Sequence, residues 1–554
     1  EAHAPEIDDT LAEADSYFLK SSVASDYVDS NHLEECHSLK YLEGDAIEEA
    51  RRRLYPRFMR GRFNDEVLQK LHAILDETDG APLILRSSSY LEDGVGCSFT
   101  GKYESVFISN RGSREERLEE FTNGIRRVLF SIYSSHALQY RRDKKLIDYN
   151  ERMSVLIQKV VGSAYGKYFF PAAGIVGFSK NPYCWSSRIR PEDGMLRMVM
   201  GLGTRAVDRT GDDYPRMVSL TEPALRPEIT TAEKIRYSQR TVDVLNLETR
   251  ALESVYFVDL INYILAQGLS LPLRDIVSIE KDGVLAPPLF APTSLEPGHC
   301  AITFDGLLAN RRFVEMARRV LKKCEAAYGM PVDMEFCYHN GKLYILQCRH
   351  LSERPGAARV TLPAVPEQDI LFTARRNFTS AIVADIDTVV WVDGEAYDAL
   401  ASAEEKLEVA RVVGRVNRAL QGRRFILMGP GRWGTTNASL GVRVQYSEIN
   451  NALMLIEVAR RKGGVTPELS HGTHFFQDLV EANIVPLPLY PDDDGVVFRS
   501  EFFAQADNDL AAVAPECAKF KSVVSVIHVP KACRGRKLQV YLDDREPRGV
   551  GFIG

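Results

Sequence analysis

Apolar residues recur at helical spacings of three, four and seven in Ala46-Ile-Glu-Glu-Ala-Arg-Arg-Arg-Leu54 and Val67-Leu-Gln-Lys-Leu-His-Ala-Ile-Leu75. The pattern predicts amphipathic helices and makes residues 1–80 a charged, helical lead-in. From Ala81 the texture changes. Pro82-Leu-Ile-Leu-Arg86 reads as a short buried strand, followed by serines and by Gly94, Gly96 and Gly101. A long helical stretch is predicted over 114–143, with strands at 154–158, 173–178 and 196–200. Helical patterns return near 231–267 and 309–328. Two further strands, 332–336 and 342–347, flank Asn340-Gly341, a dipeptide suited to a tight hairpin turn. Pro and Gly then punctuate 353–370 as a linker. Beyond it, strands near 381–393 and 423–428 alternate with helices near 400–420 and 447–462. The fold class that follows is α+β: a first domain over 81–352 dominated by antiparallel pairs, and a smaller α/β domain over 371–554.

Composition narrows the function without naming it. The chain has 554 residues, 45% of them apolar and 26% charged, with 69 basic against 76 acidic side chains and a net charge of −7. That balance argues against a general nucleic-acid binder. No apolar run reaches the ~18 residues of a membrane span. Nine cysteines without a CxxC pair read as free thiols in a reducing compartment, so the cytoplasm is the expected location. Glu1-Ala-His-Ala-Pro5 lacks the basic start and apolar core of a signal peptide, and a start other than Met reads as a fragment.

The residues that carry chemistry cluster in the first half. Arg86, at a strand end before hydroxyl residues, is placed for bidentate contacts to phosphate oxygens. Glu335 and Gln347 lie on the two strands of the hairpin, and a carboxylate and an amide oxygen together suit Mg²⁺. Whether they converge depends on register. A strict two-residue turn at Asn340-Gly341 puts them on opposite faces, whereas a three-residue loop starting at His339 puts them together. Arg349, two residues beyond Gln347, shares its strand face. Asp333 shares the face of Glu335 and is a second metal candidate. Gly201 and Gly203 permit close approach of the backbone to a ligand or to a packed strand.

Taken in order, Arg86-Ser-Ser-Ser, Phe99-Thr-Gly-Lys-Tyr-Glu-Ser, Val155-Leu-Ile-Gln-Lys, Ala173-Gly-Ile-Val-Gly-Phe, Gly201-Leu-Gly-Thr, Asp333-Met-Glu-Phe and Gly341-Lys-Leu-Tyr-Ile-Leu-Gln-Cys-Arg resemble the nucleotide-binding domain of phosphoenolpyruvate synthase and pyruvate phosphate dikinase. The resemblance spans about residues 80–352 and implies an ATP-grasp-like fold. It implies that Glu335, Gln347 and Arg349 bind metal and nucleotide, and that Gln158 and Lys159 end the strand that passes the adenine. Two departures stand out. Thr204 replaces the Glu usual after the second glycine, and residues 1–80 lack the Gly-Gly-Lys loop that begins the family's domain. Lys102, after Gly101, is the candidate to replace that loop's charge.

The second half shows neither a swivelling phosphohistidine domain nor a phosphoenolpyruvate barrel. Its nearest histidine signature, Gly463-Gly-Val-Thr-Pro-Glu-Leu-Ser-His471, is displaced by three residues, and His471 with His474 reads as structural. Gly429-Pro-Gly-Arg-Trp-Gly434 is a glycine loop after a strand. It reads as a sharp turn over Trp433, with Arg432 as the candidate for a second anion site. The resemblance implies an ATP- and Mg²⁺-dependent phosphotransferase with Arg86 and Arg349 as its principal cations. The implied partners are a nucleotide and either pyruvate or phosphoenolpyruvate or a phosphohistidine domain outside this chain. Self-association is left open. The alternative is a nucleotide-binding regulatory or scaffold module without turnover.

Overall fold

The computed structural model describes residues 10–42, 45–89, 91, 103–143, 145–181, 186, 188–207, 213–228, 230–351, 360–434, 440–444, 448–461, 467, 469–470, 475–476, 479, 483–544 and 546–554. The chain divides into two compact units. The first comprises residues 1–181 and 192–352, the second residues 182–191 and 353–554. Lys102, Glu468, His471 and His474 lie outside the described residues.

The strands that frame the first unit's cavity are β1 (Leu11–Glu13), β2 (Leu83–Ser89), β3 (Met153–Lys159), β4 (Ala173–Phe178), β5 (Met195–Val199), β6 (Val332–His339) and β7 (Lys342–His350). A four-stranded sheet runs in the order Ser16–Leu19, β3, β2, Val106–Ile108, and a six-stranded sheet in the order β1, β7, β6, β4, β5, Arg216–Ser219. All of these pairings are antiparallel except β1 with β7. Residues 10–80 are more than a lead-in. Two of their segments are strands, and Leu54, Phe58, Leu71 and Leu75 share one core with Leu83, Leu85, Phe121 and Val155. The amphipathic spacing of these helices is therefore spent on covering the four-stranded sheet.

Three element expectations change. The stretch 114–143 forms two helices, Arg114–Ser131 and Ser135–Asp143, and the first is opened by a Ser113/Glu116 capping box. The helix expected over 231–267 is instead Thr231–Arg236, an antiparallel pair Thr241–Asn246 and Ala251–Tyr256, then Phe257–Ala266. Alternation of buried Val242 and Val244 with polar neighbours is the period-two signal that decides it.

In the second unit the described part of 447–462, residues 448–461, holds the strand Met454–Val458 where a helix was expected. With Thr388–Val392 as β8, Phe425–Pro430 as β9, Met454–Val458 as β10, Val485–Leu489 as β11 and Val524–His528 as β12, the sheet order is β11, β10, β9, β8, β12. The first four run parallel and β12 antiparallel. Val390, Leu427 and Leu455 face a core that includes Val409, Val412 and Val416 of helix Ala403–Ala419. Val389, Ile426 and Met454 face a second core built on a four-stranded antiparallel sheet. Met454-Leu-Ile is thus buried on both faces, and a continuous apolar run of this kind has no period to separate strand from helix.

Candidate functional site

The turn between β6 and β7 is the strict two-residue turn, with Asn340 and Gly341 both at positive φ and His339 paired with Lys342. On its own it would place Glu335 and Gln347 on opposite faces. A β-bulge reverses this. Phe336 pairs with Ile345 but Glu335 pairs with Gln347, so Leu346 is the extra residue and every later position on β7 changes face. Arg349 then stands opposite Asp333. The bulge is held from the neighbouring sheet: Gln158, only 5% exposed, donates from Nε2 to the Leu346 carbonyl at 3.2 Å and to Ser16 Oγ at 3.1 Å.

The polar wall of a cavity of about 330 Å³ brings together Arg86, Gln158, Lys159, Glu335, Gln347 and Arg349. Arg86 reaches across from β2, and its Nη2 donates to both Glu335 Oε2 and Gln347 Oε1 at 2.6 Å. Arg349 donates from Nε to Asp333 Oδ1 at 2.7 Å, with Nη2 3.7 Å from Glu335 Oε1. The side chains of Arg86, Glu335, Arg349 and Asp333 are each 14–15% exposed, so the ion pairs are shielded from water. Lys159 is more open; its ammonium lies 3.7 Å from Asp15 Oδ2. Asp333 does not line the cavity and is engaged by Arg349.

The glycines divide. Gly203, at φ 88°, lines the cavity, and its Cα lies 2.2 Å from where a Cβ on Gly174 would stand. Gly201 does not line it. A Cβ there would meet Asp243 O at 2.6 Å, because Leu202 N donates to that same carbonyl at 3.0 Å. Its freedom serves strand packing. Thr204 donates to Asp243 Oδ2 at 2.6 Å, so the carboxylate near this turn comes from another strand.

Sequence reasoning missed the apolar side of the cavity. Ile84, Phe107, Val160, Leu202, Val207 and Leu252 form it. Leu252 and Val207, 47% and 37% exposed, are its most open members. The available signal was Leu202, flanked by both glycines. Tyr103 also lines the cavity; burial and the adjacent Glu151 push its hydroxyl well above the usual tyrosine range.

Glu335 Oε2 and Gln347 Oε1 converge on one cationic nitrogen. Two hard oxygens so aimed fit Mg²⁺, which takes few protein ligands and keeps water or phosphate oxygens for the rest. Among the described residues no group of three or more His, Cys, Asp or Glu side chains is gathered as a metal cage. No described helix is long and apolar enough to cross a membrane, and the described cysteines are free thiols.

In the second unit, Trp433 is fully buried in the core beneath the glycine loop, with its ring against Gly429. The loop is pinned by Glu457 of β10. Its Oε1 accepts from Trp433 N at 2.7 Å and its Oε2 from Ser470 N at 2.7 Å. Ser470 Oγ lies 2.7 Å from the Trp433 carbonyl and 2.5 Å from Glu457 Oε1. One hydroxyl proton cannot serve both acceptors, and both contacts are satisfied when the carboxyl carries a proton. Burial accordingly lifts Glu457 from 4.5 to about 7.

No curated protein sequence matches the chain. Residues 6–366, nearly two thirds of the chain, match the pyruvate phosphate dikinase AMP/ATP-binding domain, a span that takes in the whole described cavity and begins well before residue 80. The chain therefore belongs to the family of pyruvate phosphate dikinase AMP/ATP-binding domains.

Proposed function

We propose that the first unit, an ATP-grasp-like domain, binds ATP with Mg²⁺ and delivers a phosphoryl group to an acceptor from outside the cavity. The observation that carries this reading is the convergence of Arg86, Glu335, Gln347 and Arg349 on one cavity in a chain of this family. Glu335 and Gln347 would hold the metal. When bound, Mg²⁺ supplies charge neutralisation on the phosphate oxygens. Arg349, oriented by Asp333, presents a planar fork suited to phosphate, and Lys159 adds a mobile point charge. The apolar side, Ile84 to Leu252, is a slot for a purine ring and excludes water from it. Phosphoryl transfer depends on positioning and electrostatics more than on covalent help, and these residues supply both.

No histidine is among the described residues lining the cavity. A phosphohistidine intermediate of the dikinase kind, and pyruvate or phosphoenolpyruvate chemistry after it, would therefore use a residue or domain beyond this wall. The test is calorimetry with ATP and millimolar Mg²⁺, followed by incubation with γ- or β-labelled ATP and scoring of ADP, AMP and protein-bound label. The expected result is Mg²⁺-dependent ATP binding that Glu335→Gln weakens by about tenfold or more, as loss of a charged ligand requires. Absence of adenine-nucleotide binding at millimolar Mg²⁺ refutes the reading. Binding without any product would leave a nucleotide-binding module and remove the transfer step.

A further inference from the structure

Arg86 stands where a metal would. Its Nη2 is 2.6 Å from Glu335 Oε2 and 2.6 Å from Gln347 Oε1, the same two oxygens that the nucleotide reading assigns to Mg²⁺. A cation within about 2.1 Å of both oxygens cannot coexist with a guanidinium nitrogen at that point. We propose that Arg86 is a resident cation surrogate, so that a divalent cation enters only together with a polyphosphate that draws Arg86 away. The inference rests on the nucleotide reading and adds a coupling to it.

The energetics run in both directions. If a metal alone displaced Arg86, a largely buried guanidinium would lose its carboxylate without gaining another, an unfavourable state for a shielded charge. If a polyphosphate alone drew Arg86 off, Glu335 would face the incoming phosphates with only Arg349, 3.7 Å from its Oε1 and already engaged by Asp333, as a counter-charge. Arriving together, each ligand satisfies the group that the other uncovers. Metal and polyphosphate thereby bind with positive, reciprocal coupling.

The two arginines differ in this respect. Arg349 is anchored by Nε to Asp333 at 2.7 Å and stands 3.7 Å from Glu335, so it need not move. Arg86 comes from a different sheet from that of its two partners and is the exchangeable member.

The experiment uses Mn²⁺ as the probe, with free ion counted by electron paramagnetic resonance on the full chain in the absence of nucleotide. Wild type should bind Mn²⁺ weakly. Arg86→Met should bind it at least about tenfold more tightly, because a like charge within about 4–6 Å changes the affinity for a charge by one to three powers of ten. Arg86→Gln, which keeps a polar side chain, should do the same, and covers the case in which the Met variant folds poorly. Mn²⁺ should raise the melting temperature of either variant but not of the wild type. Adding Glu335→Gln to the Arg86 variant should return Mn²⁺ binding to the wild-type level, locating the ion at this site. Equal Mn²⁺ affinity in wild type and both Arg86 variants overturns the proposal. If that occurs while wild type still binds ATP with Mg²⁺, only the surrogate role falls. If Mn²⁺ binding tightens in the variants but wild type binds no ATP, the surrogate stands and the nucleotide reading falls.

Discussion

Replacing Glu457 by Gln should flatten a pH dependence of stability built into the second unit. The carboxyl rises from 4.5 to about 7 because burial disfavours its charged form. At about 1.4 kcal/mol for each tenfold in proton affinity, the full effect is about 3 kcal/mol. Its sign follows from the folded value lying above the unfolded one. The contribution is fully present below 4.5 and is lost as pH rises through about 7. Between about pH 5 and pH 8 the wild type should lose about 2.5 kcal/mol through this group alone. Gln cannot ionise, so the loss disappears. The amide is not neutral in its own right, however. Trp433 N and Ser470 N donate to different carboxyl oxygens, so an amide NH₂ must face one of those donors. That mismatch costs about 1–3 kcal/mol at every pH. The variant should therefore be less stable than wild type at about pH 5 and close to it, or better, at about pH 8. Urea titrations followed by intrinsic fluorescence suit the assay, since Trp391 and Trp433, of three tryptophans in the chain, sit in the second unit's cores. A gap between variant and wild type that stays constant from pH 5 to pH 8 would refute the argument.

Two shorter predictions concern the cavity. Arg349→Lys loses the planar fork that spans Asp333 and the cavity, and should weaken ATP binding by at least about tenfold at unchanged melting temperature; equal affinity would remove Arg349 from the site. Gln158→Leu removes both donors that hold the Leu346 bulge and the Ser16 hydroxyl, and should lower stability by about 1–3 kcal/mol while weakening metal-dependent ATP binding. Retention of both properties would show that the turn and ladder alone set the register of β7.

What was legible in the sequence was the set of chemical groups; what was not was how they are held. Arg86 was readable as a cation at the end of an apolar strand, and Glu335, Gln347 and Arg349 as polar groups on a hairpin whose metal and nucleotide roles came from the collinear resemblance to the family. The convergence of Glu335 with Gln347 was undecidable, because Asn340-Gly341 specifies the turn but nothing in Leu346 announces a bulge. An aliphatic residue that breaks a ladder looks like one that continues it. The partner of Arg86 was hidden for a different reason. Arg86 and Glu335 lie 249 positions apart, and pairing across two sheets leaves no local pattern. Local pattern misled at 231–267 and 447–462. In the first, two short helices flank a hairpin; in the second, a strand buried on both faces shows no alternation. Gly201 was readable as a position needing freedom, but the sequence could not say whether a ligand or a neighbouring strand required it.

The parallel pairing of β1 with β7 has a consequence for how the chain acquires its site. Leu11 pairs with Leu343, 332 positions later, so the first strand of the six-stranded sheet waits for the last. At a synthesis rate of about 5–20 residues per second, β1 spends roughly 15–65 s on the ribosome without its partner. Through that interval its backbone donors and acceptors have no β7 ladder, while the covering helices and the four-stranded sheet can already form around β2 and β3. Closing so long a loop is slow relative to local pairing. The strand that carries Gln347 and Arg349 is thus among the last of the first unit to emerge, and nucleotide competence should appear late in synthesis, after most of this unit's secondary structure.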